Sequence, residues 1–319
     1  MSSSSAAAAG ARECPETRLP PVHTLFVWDF DWTIANCNSD EYVPSKFLGD
    51  AATARRLRQL LDLLGPGKWH ECVSSLVNAC IEERDVSQRE IVEAAACMPY
   101  LNDVRMSLQA IDNDARMGQA IISDGNDVFI GAFLHKNGMD RYFTHGIETN
   151  IGGWEGAEED ANNTRHGVKF SVTHQSSKYG GHSCTTCPPN LCKSQVLELD
   201  IMKRIDRSCR GNATVKRPRM VYVGDGANDA CPALHVLKEG DVLLARDGQR
   251  LRNPNARTGP QDETRANDLD PESRFAIAST LKRAKAKKGL LPKCHVHAWN
   301  SGQELHALVQ NILDGAHPG

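Results

Sequence analysis

A chain of 319 residues, 40% apolar and 24% charged, is long enough to bury a full core and reads as one catalytic domain carrying an inserted subdomain. Its net charge of -3 gives no general pull toward nucleic acid or an anionic membrane, and no apolar run approaches the length of a transmembrane helix. The 11 cysteines, an odd number scattered along the chain, favour reduced thiols over a disulfide framework and hence a cytoplasmic location.

Residues 1–20 open on Ser and Ala without the basic start or long apolar centre of a secretory signal, and are expected to form a disordered lead. The apolar run Leu25, Phe26, Val27, Trp28 then reads as a strand buried on both faces. It stops at Asp29 and Asp31, with Thr33 just beyond. Two carboxylates this close favour one protonated and one charged form unless a cation lies between them. That suits Asp29 as a nucleophile and Asp31 as its proton shuttle, at the carboxyl edge of a parallel sheet where open α/β folds bind ligands. A capped turn, with Asp31 or Thr33 as the cap, is the structural alternative.

The pattern then becomes helical. Phe47, Ala51, Leu57, Leu60, Leu61 and Leu64 recur at helical spacing before Gly65-Pro66-Gly67. Helices follow over 69–82 and 88–97, the second announced by Ser87 with Glu90 three residues on. Residues 41–98 are therefore expected to be a helical lid inserted into a core made of 21–40 and 99–319.

Strand and helix alternate afterwards: a helix over 104–111, a strand over 119–122 ending at Ser123 and Asp124, a helix over 127–136 and a short strand over 142–148. A helix over 192–205 precedes a strand over 219–223 that ends in Gly224-Asp225-Gly226-Ala227-Asn228-Asp229, and a further strand follows at 241–245. Segment 152–165 and the charged insertion 250–288 read as decoration. The basic end of the insertion lacks aromatics and fits a solvated helix face better than a nucleic-acid contact. A last strand over 295–299 and a capped helix over 301–313 complete an α/β fold, a Rossmann-like parallel sheet flanked by helices.

Parallel strands bring their carboxyl ends to one edge, so Asp29, Asp31, Ser123, Lys193, Asp225 and Asp229 are expected to ring one pocket. Four carboxylates there call for a divalent cation, and an all-oxygen set suits magnesium, Mg2+, held by Asp29, the backbone of Asp31, Asp225 and Asp229. With a small phosphorylated metabolite in the pocket, Asp29 attacks phosphorus, Ser123 and Lys193 bind the equatorial oxygens, and Asp31 moves the proton. A non-catalytic phosphate-binding or metal-binding regulator is the rival from another class, but it needs no proton donor two residues past the nucleophile.

The ordered set Asp-x-Asp-x-Thr at Asp29, Asp31 and Thr33, then Ser123, Lys193 and Gly-Asp-Gly-x-Asn-Asp at 224–229 resembles the haloacid dehalogenase superfamily. Asn38-Ser39-Asp40, Ser123-Asp124-Gly125-Asn126, the Cys-rich stretch from His182 to Lys193, and Asp229-Ala230-Cys231-Pro232 look like its phosphoethanolamine/phosphocholine phosphatase family. The resemblance implies magnesium-dependent hydrolysis of phosphoethanolamine or phosphocholine through an aspartyl-phosphate. Pyridoxal phosphate, thiamine phosphate and pyrophosphate are the alternatives. It also implies that Asp40 and Asp124 face the substrate's ammonium group and that Asn126 and Thr33 belong to the substrate site, although both acids can equally be helix caps. His182, Cys184, Cys187 and Cys192 have the residue types of a zinc site, yet they lie within eleven residues without two separated ligand pairs, so the expectation is a loop shaped to deliver Lys193.

Overall fold

The computed structural model describes residues 22–156, 168–208, 217–246 and 277–315. The first strand, β1 (Thr24–Trp28), is buried along its whole length. Phe26 and Trp28 face one core cluster with Ile121, Val221, Val223 and Leu244, while Leu25 and Val27 face another with Ala120, Ile122, Met220, Tyr222 and Leu243. Both faces of this strand are covered, which explains an unbroken apolar run in place of alternation.

Around β1 stand β2 (Met117–Asn126), β3 (Ile147–Glu155), β4 (Lys169–Thr173), β5 (Arg219–Gly224), β6 (Val242–Arg246) and β7 (His295–Trp299). They form one sheet in the order β4-β3-β2-β1-β5-β6-β7. Every pairing is parallel except β3 with β4. Trp28 lies opposite Ile121 on one side and Val223 on the other. Just beyond this level, Asp29 follows Trp28 by one residue, and Ser123 and Asp225 follow Ile121 and Val223 by two, which brings the three to a common edge.

The strand expected over 142–148 is displaced. Asp140–Tyr142 is a 3-10 turn, and β3 runs from Ile147 through Gly152 and Gly153 to Glu155, hydrogen-bonded to a β4 that the sequence reading did not foresee. Glycine has low strand propensity and carries no side chain for a periodic pattern, so this hairpin is hidden in the sequence. The remainder of the decoration at 157–165, the lead 1–20 and positions 250–276 of the insertion lie outside the described residues. The basic end of the insertion is the helix Ile277–Lys288.

The inserted helices are α1 (Ser39–Leu48), α2 (Asp50–Leu64), α3 (Trp69–Arg84) and α4 (Gln88–Ala96). Asn38 caps α1 by accepting from the N–H of Glu41, and Ser87 and Glu90 form a capping box on α4. Gly49 joins α1 to α2 at φ 82°, a conformation that favours glycine. Val43, Leu57, Val73, Leu76 and Ile91 bury in the same cluster as Phe30, Phe129 and Phe133, so the lid is continuous with one face of the core. The side chain of Asn78 on α3 donates to the carbonyl of Phe170 at 3.0 Å and accepts from its N–H at 2.8 Å, covering the edge strand β4.

α5 (Asn102–Asp112) precedes β2, and after β2 come α6 (Asp127–Lys136), then α7 (Lys193–Val196), which passes through one π-helical stretch, Leu197–Met202, into α8 (Lys203–Ser208). The helix Gly302–Leu313 opens on the capping box of Ser301 and Glu304. Among the described residues no helix is long and apolar enough to cross a membrane.

Candidate active site

Asp29 leaves β1 with its N–H donating to the carbonyl of Val223 at 2.8 Å, so β5 fixes the height of its side chain. One of its oxygens lies 2.8 Å from Nζ of Lys193, a fully buried lysine at the start of α7. The same ammonium group meets Oδ1 of Asp229 at 2.5 Å. Asp229 is held from all sides. Tyr222 donates its hydroxyl to Oδ1 at 3.1 Å, and the N–H groups of Asp225 and Gly226 donate to Oδ2 at 3.0 and 2.8 Å. A Cβ on Gly224 would collide with the Asp229 side chain, which accounts for glycine at the head of Gly-Asp-Gly.

Asp29, Asp225 and Asp229 each present a carboxylate oxygen within 4.8 Å of the others, and all three are buried. Burial and the charge of Asp229 push Asp29 up to about 7 against the pull of Lys193. Burial, then Asp29 and Asp229, also raise Asp225 well above the carboxylate range. Lys193 is lowered by burial but raised more by Asp229 and Asp29, so it stays an ammonium ion. Crowded carboxylates that resist ionisation are the electrostatic mark of a cation position, and hard oxygens in this arrangement fit magnesium.

Asp31 sits at the mouth of the lid. The N–H and hydroxyl of Ser39, at the N-terminus of α1, donate to its two oxygens at 2.9 and 3.1 Å. Enclosure, Asp40 and Asp29 raise its pKa well above the usual range despite those bonds. The result is a carboxyl group that holds its proton more tightly than a free one. Between the two acids and the lid, Trp32 takes a left-handed φ of 57°. Its carbonyl accepts from the buried guanidinium of Arg246 at the end of β6, which also donates to Oδ1 of Asn36 at 2.9 Å. Non-glycine residues in this region are strained and persist where surroundings over-determine them.

A cavity of about 1200 Å³ opens above this edge. Asp29, Asp31, Asp124 and Asp225 line its floor, and Trp32, Lys46, Arg55, Leu57, Arg58, Leu61 and Trp69 line the lid side. Thr33, Ser123 and Lys193 are buried beneath the floor. Ser123 lies where the β2–β3 register shifts, a bulge that re-aims the residues between Ile122 and Asn126, and its hydroxyl accepts from the N–H of Gly125 at 3.1 Å. Asn126 caps α6 through the N–H of Phe129 at 3.0 Å.

Asp40 and Asp124 part company. Asp40 is buried, accepting from Nε1 of Trp69 at 2.8 Å and from the side chain of Asn126 at 3.4 Å, and it is absent from the cavity wall. Asp124 stays in the wall and accepts from Asn228 at 3.1 Å. Sequence reasoning missed Ser39, Tyr222 and Arg246 as supports of the site. Only Arg246 left a signal, a lone cation at the end of an apolar strand.

The family model described as "Putative Phosphatase" matches residues 24–266. The chain is 31% identical over 238 residues to Pyridoxal phosphate phosphatase PHOSPHO2 of Mus musculus, covering 74% of this chain and 87% of that protein. It is 32% identical over 235 residues to Probable phosphatase phospho2 of Xenopus tropicalis, covering 72% and 86%. Inorganic pyrophosphatase 2 of Arabidopsis thaliana is 28% identical over 292 residues, covering 91% of this chain and 84% of its own length. With two buried acids leaving β1 and β5 beside a buried lysine, this chain belongs to that phosphatase family and is a phosphoric monoester hydrolase.

Proposed function

We propose that the chain hydrolyses small phosphate monoesters with a flat heterocyclic leaving group, the pyridoxal phosphate class, through a phosphorylated Asp29. The carrying observation is the cavity's lid side, where Trp32, Trp69, Leu57 and Leu61 offer apolar and aromatic surface beside Lys46, Arg55 and Arg58. A planar, partly anionic ring is complementary to such a wall. A small quaternary ammonium fills less of this aromatic wall, whose charge is mixed because Glu41 and Asp50 share it with the three cations. The sequence expectation of phosphoethanolamine or phosphocholine, with Asp40 reading the ammonium group, gives way here for that reason and because Asp40 spends both oxygens on Trp69 and Asn126. The relatives named for pyridoxal phosphate support the same choice.

Asp29, Asp225 and the backbone carbonyl of Asp31 would hold magnesium, which would supply the charge neutralisation that lets a carboxylate approach a phosphate dianion. Asp229 acts by position in this reading, not as the direct ligand the sequence suggested, since Lys193, Tyr222 and two backbone N–H groups already engage its oxygens. A carboxylate oxygen of Asp29 forms a bond to phosphorus as the ester P–O bond breaks, and Asp31 gives its proton to the departing oxygen. Asp31 then takes a proton from water as that water attacks phosphorus, releasing phosphate and regenerating Asp29. Lys193 and Ser123 stabilise charge on the equatorial oxygens, while Thr33 and Asn126 hold the turn and helix start that frame them.

Inorganic pyrophosphate is the second reading, favoured by Arg55 and Arg58 as partners for a second phosphate and by the Arabidopsis relative. A magnesium assay comparing pyridoxal phosphate, pyrophosphate, phosphoethanolamine and phosphocholine separates them. Pyridoxal phosphate should lead the two amine esters in kcat/KM by about tenfold or more, the scale of one or two well-placed contacts. Phosphocholine at the head would overturn the proposal, and pyrophosphate at the head would replace it by the second reading.

A further inference from the structure

Behind the catalytic edge the fold assembles a second cluster that the phosphatase chemistry does not use. The sulfur atoms of Cys184, Cys187, Cys192 and Cys231 all lie within 4.8 Å of one another. Cys231 stands 3.6 Å from Cys184 and 3.9 Å from Cys192, sulfur to sulfur. A disulfide needs about 2.05 Å, and all four thiols are free. By contrast, four sulfurs at about 2.3 Å from a tetrahedral zinc are about 3.8 Å apart. Cys187, Cys192 and Cys231 are buried, so no coordination position is left open to substrate.

We propose that these four cysteines bind one structural zinc ion, which locks the loop delivering Lys193 onto the loop carrying Asp225 and Asp229. The sequence objection to zinc was the absence of a second, distant ligand group. Cys231 removes it, lying 39 residues beyond Cys192. His182 is not part of the set: its Nε2 meets the carbonyl of Pro188 at 2.9 Å and its Nδ1 accepts from the N–H of Cys184 at 3.3 Å. The surroundings support thiolates. The N–H groups of Thr186 and Cys187 both point at the Cys184 sulfur at 3.4 Å, and the Ser194 hydroxyl lies 2.9 Å from the Cys231 sulfur. Lys288 donates to the Thr185 hydroxyl inside the Cys-x-x-Cys turn at 3.0 Å, placing a cation beside a centre of net charge -2. Soft sulfur selects zinc over the magnesium that the neighbouring oxygens suit.

Elemental analysis of the full chain, purified without a metal-binding tag and dialysed into magnesium buffer, tests this directly. About one zinc per chain is expected, with release on mercurial titration of the thiols. Cobalt-loaded protein should show thiolate-to-cobalt charge-transfer absorption. Cys184→Ser and Cys231→Ser should each lose the metal, His182→Ala should keep it, and Ser194→Ala should weaken zinc binding by about tenfold. Wild-type protein without zinc, with iron in its place, or with a Cys184–Cys231 disulfide in its non-reduced mass overturns the proposal. Should the cysteine variants fail to fold, the wild-type metal content and cobalt spectrum still decide. Zinc content is read without substrate, so the outcome is independent of which phosphate ester is hydrolysed.

Discussion

The carboxylate cluster and the cysteine cluster share one short segment: Asp225 and Asp229 belong to the first and Cys231, two residues on, to the second. The first uses hard oxygens and opens onto a cavity of about 1200 Å³, the second uses soft sulfur and is buried at three of its four residues, Cys184 being half-buried. An open oxygen set leaves room for a phosphate to complete it, whereas a closed sulfur set can only hold structure. The contrast teaches that in this molecule catalytic geometry is stabilised from behind. The lysine that orders Asp29 follows Cys192 directly, and the aspartate that orders the lysine precedes Cys231 by two positions.

The largest break in that division of labour is Asp29→Asn. It should reduce magnesium-dependent turnover of an aryl phosphate by at least about a thousandfold, while thermal melting is unchanged or raised in magnesium-free buffer because a crowded buried charge is gone. Turnover within tenfold of wild type would remove Asp29 as the nucleophile. Next comes Asp31→Asn, expected to cost about 10²–10⁴-fold on pyridoxal phosphate but much less on an ester whose leaving group needs no proton. Equal losses on both esters would deny Asp31 the role of acid.

Lys193→Met tests the joint between the two clusters. Removing the ammonium leaves Asp29 and Asp229 buried without their cation, so chemical denaturation should show a loss of about 3–5 kcal/mol, and zinc content should remain at the wild-type level. Loss of zinc together with stability would mean that the sulfur cluster leans on the oxygen cluster, and not the oxygen cluster on the sulfur.

A smaller effect follows from acidity. The pKa values of Asp29 and Asp40 are pushed up to about 7 in the folded chain, each mainly by burial, above an unfolded value of 3.8. A raised carboxylate contributes stability that is complete below its unfolded pKa and is lost as pH rises through the folded one. In magnesium-free buffer the melting temperature should therefore fall between pH 5 and pH 8, and added magnesium should recover more of it at pH 8 than at pH 5. A melting temperature that rises over this window, with the same slope in Asp29→Asn, would contradict the electrostatic account. The mildest change, Arg55→Ala, should raise KM for pyridoxal phosphate severalfold with kcat nearly unchanged, because a lid cation binds ground and transition state alike. A matching fall in kcat would place Arg55 closer to the reacting phosphate.

Much of this is legible in the sequence. An apolar run ending in Asp29 and Asp31, another ending in Asp225, and helix caps at Ser87 and Ser301 are local signals, because burial on both strand faces and the needs of unpaired helix N–H groups are written residue by residue. The β3–β4 hairpin was not legible, since its glycines erase periodicity and its partner strand is chosen by an edge that only the folded sheet supplies. Nor were the supports of the site. Ser39 reaches Asp31, Tyr222 reaches Asp229 and Arg246 reaches Trp32 across separations with no spacing rule.

By itself the sequence determined the fold class, the run of helices between β1 and β2 and the acids that follow β1 and β5, because strand ends and helical periods are short-range consequences of side-chain burial. Tertiary structure alone decided that Asp40 turns inward to Trp69 while Asp124 faces the cavity, and that Cys231 in place of His182 completes a set of four sulfurs. Those outcomes depend on which loops are packed together, and packing between distant segments is fixed only when the whole core closes.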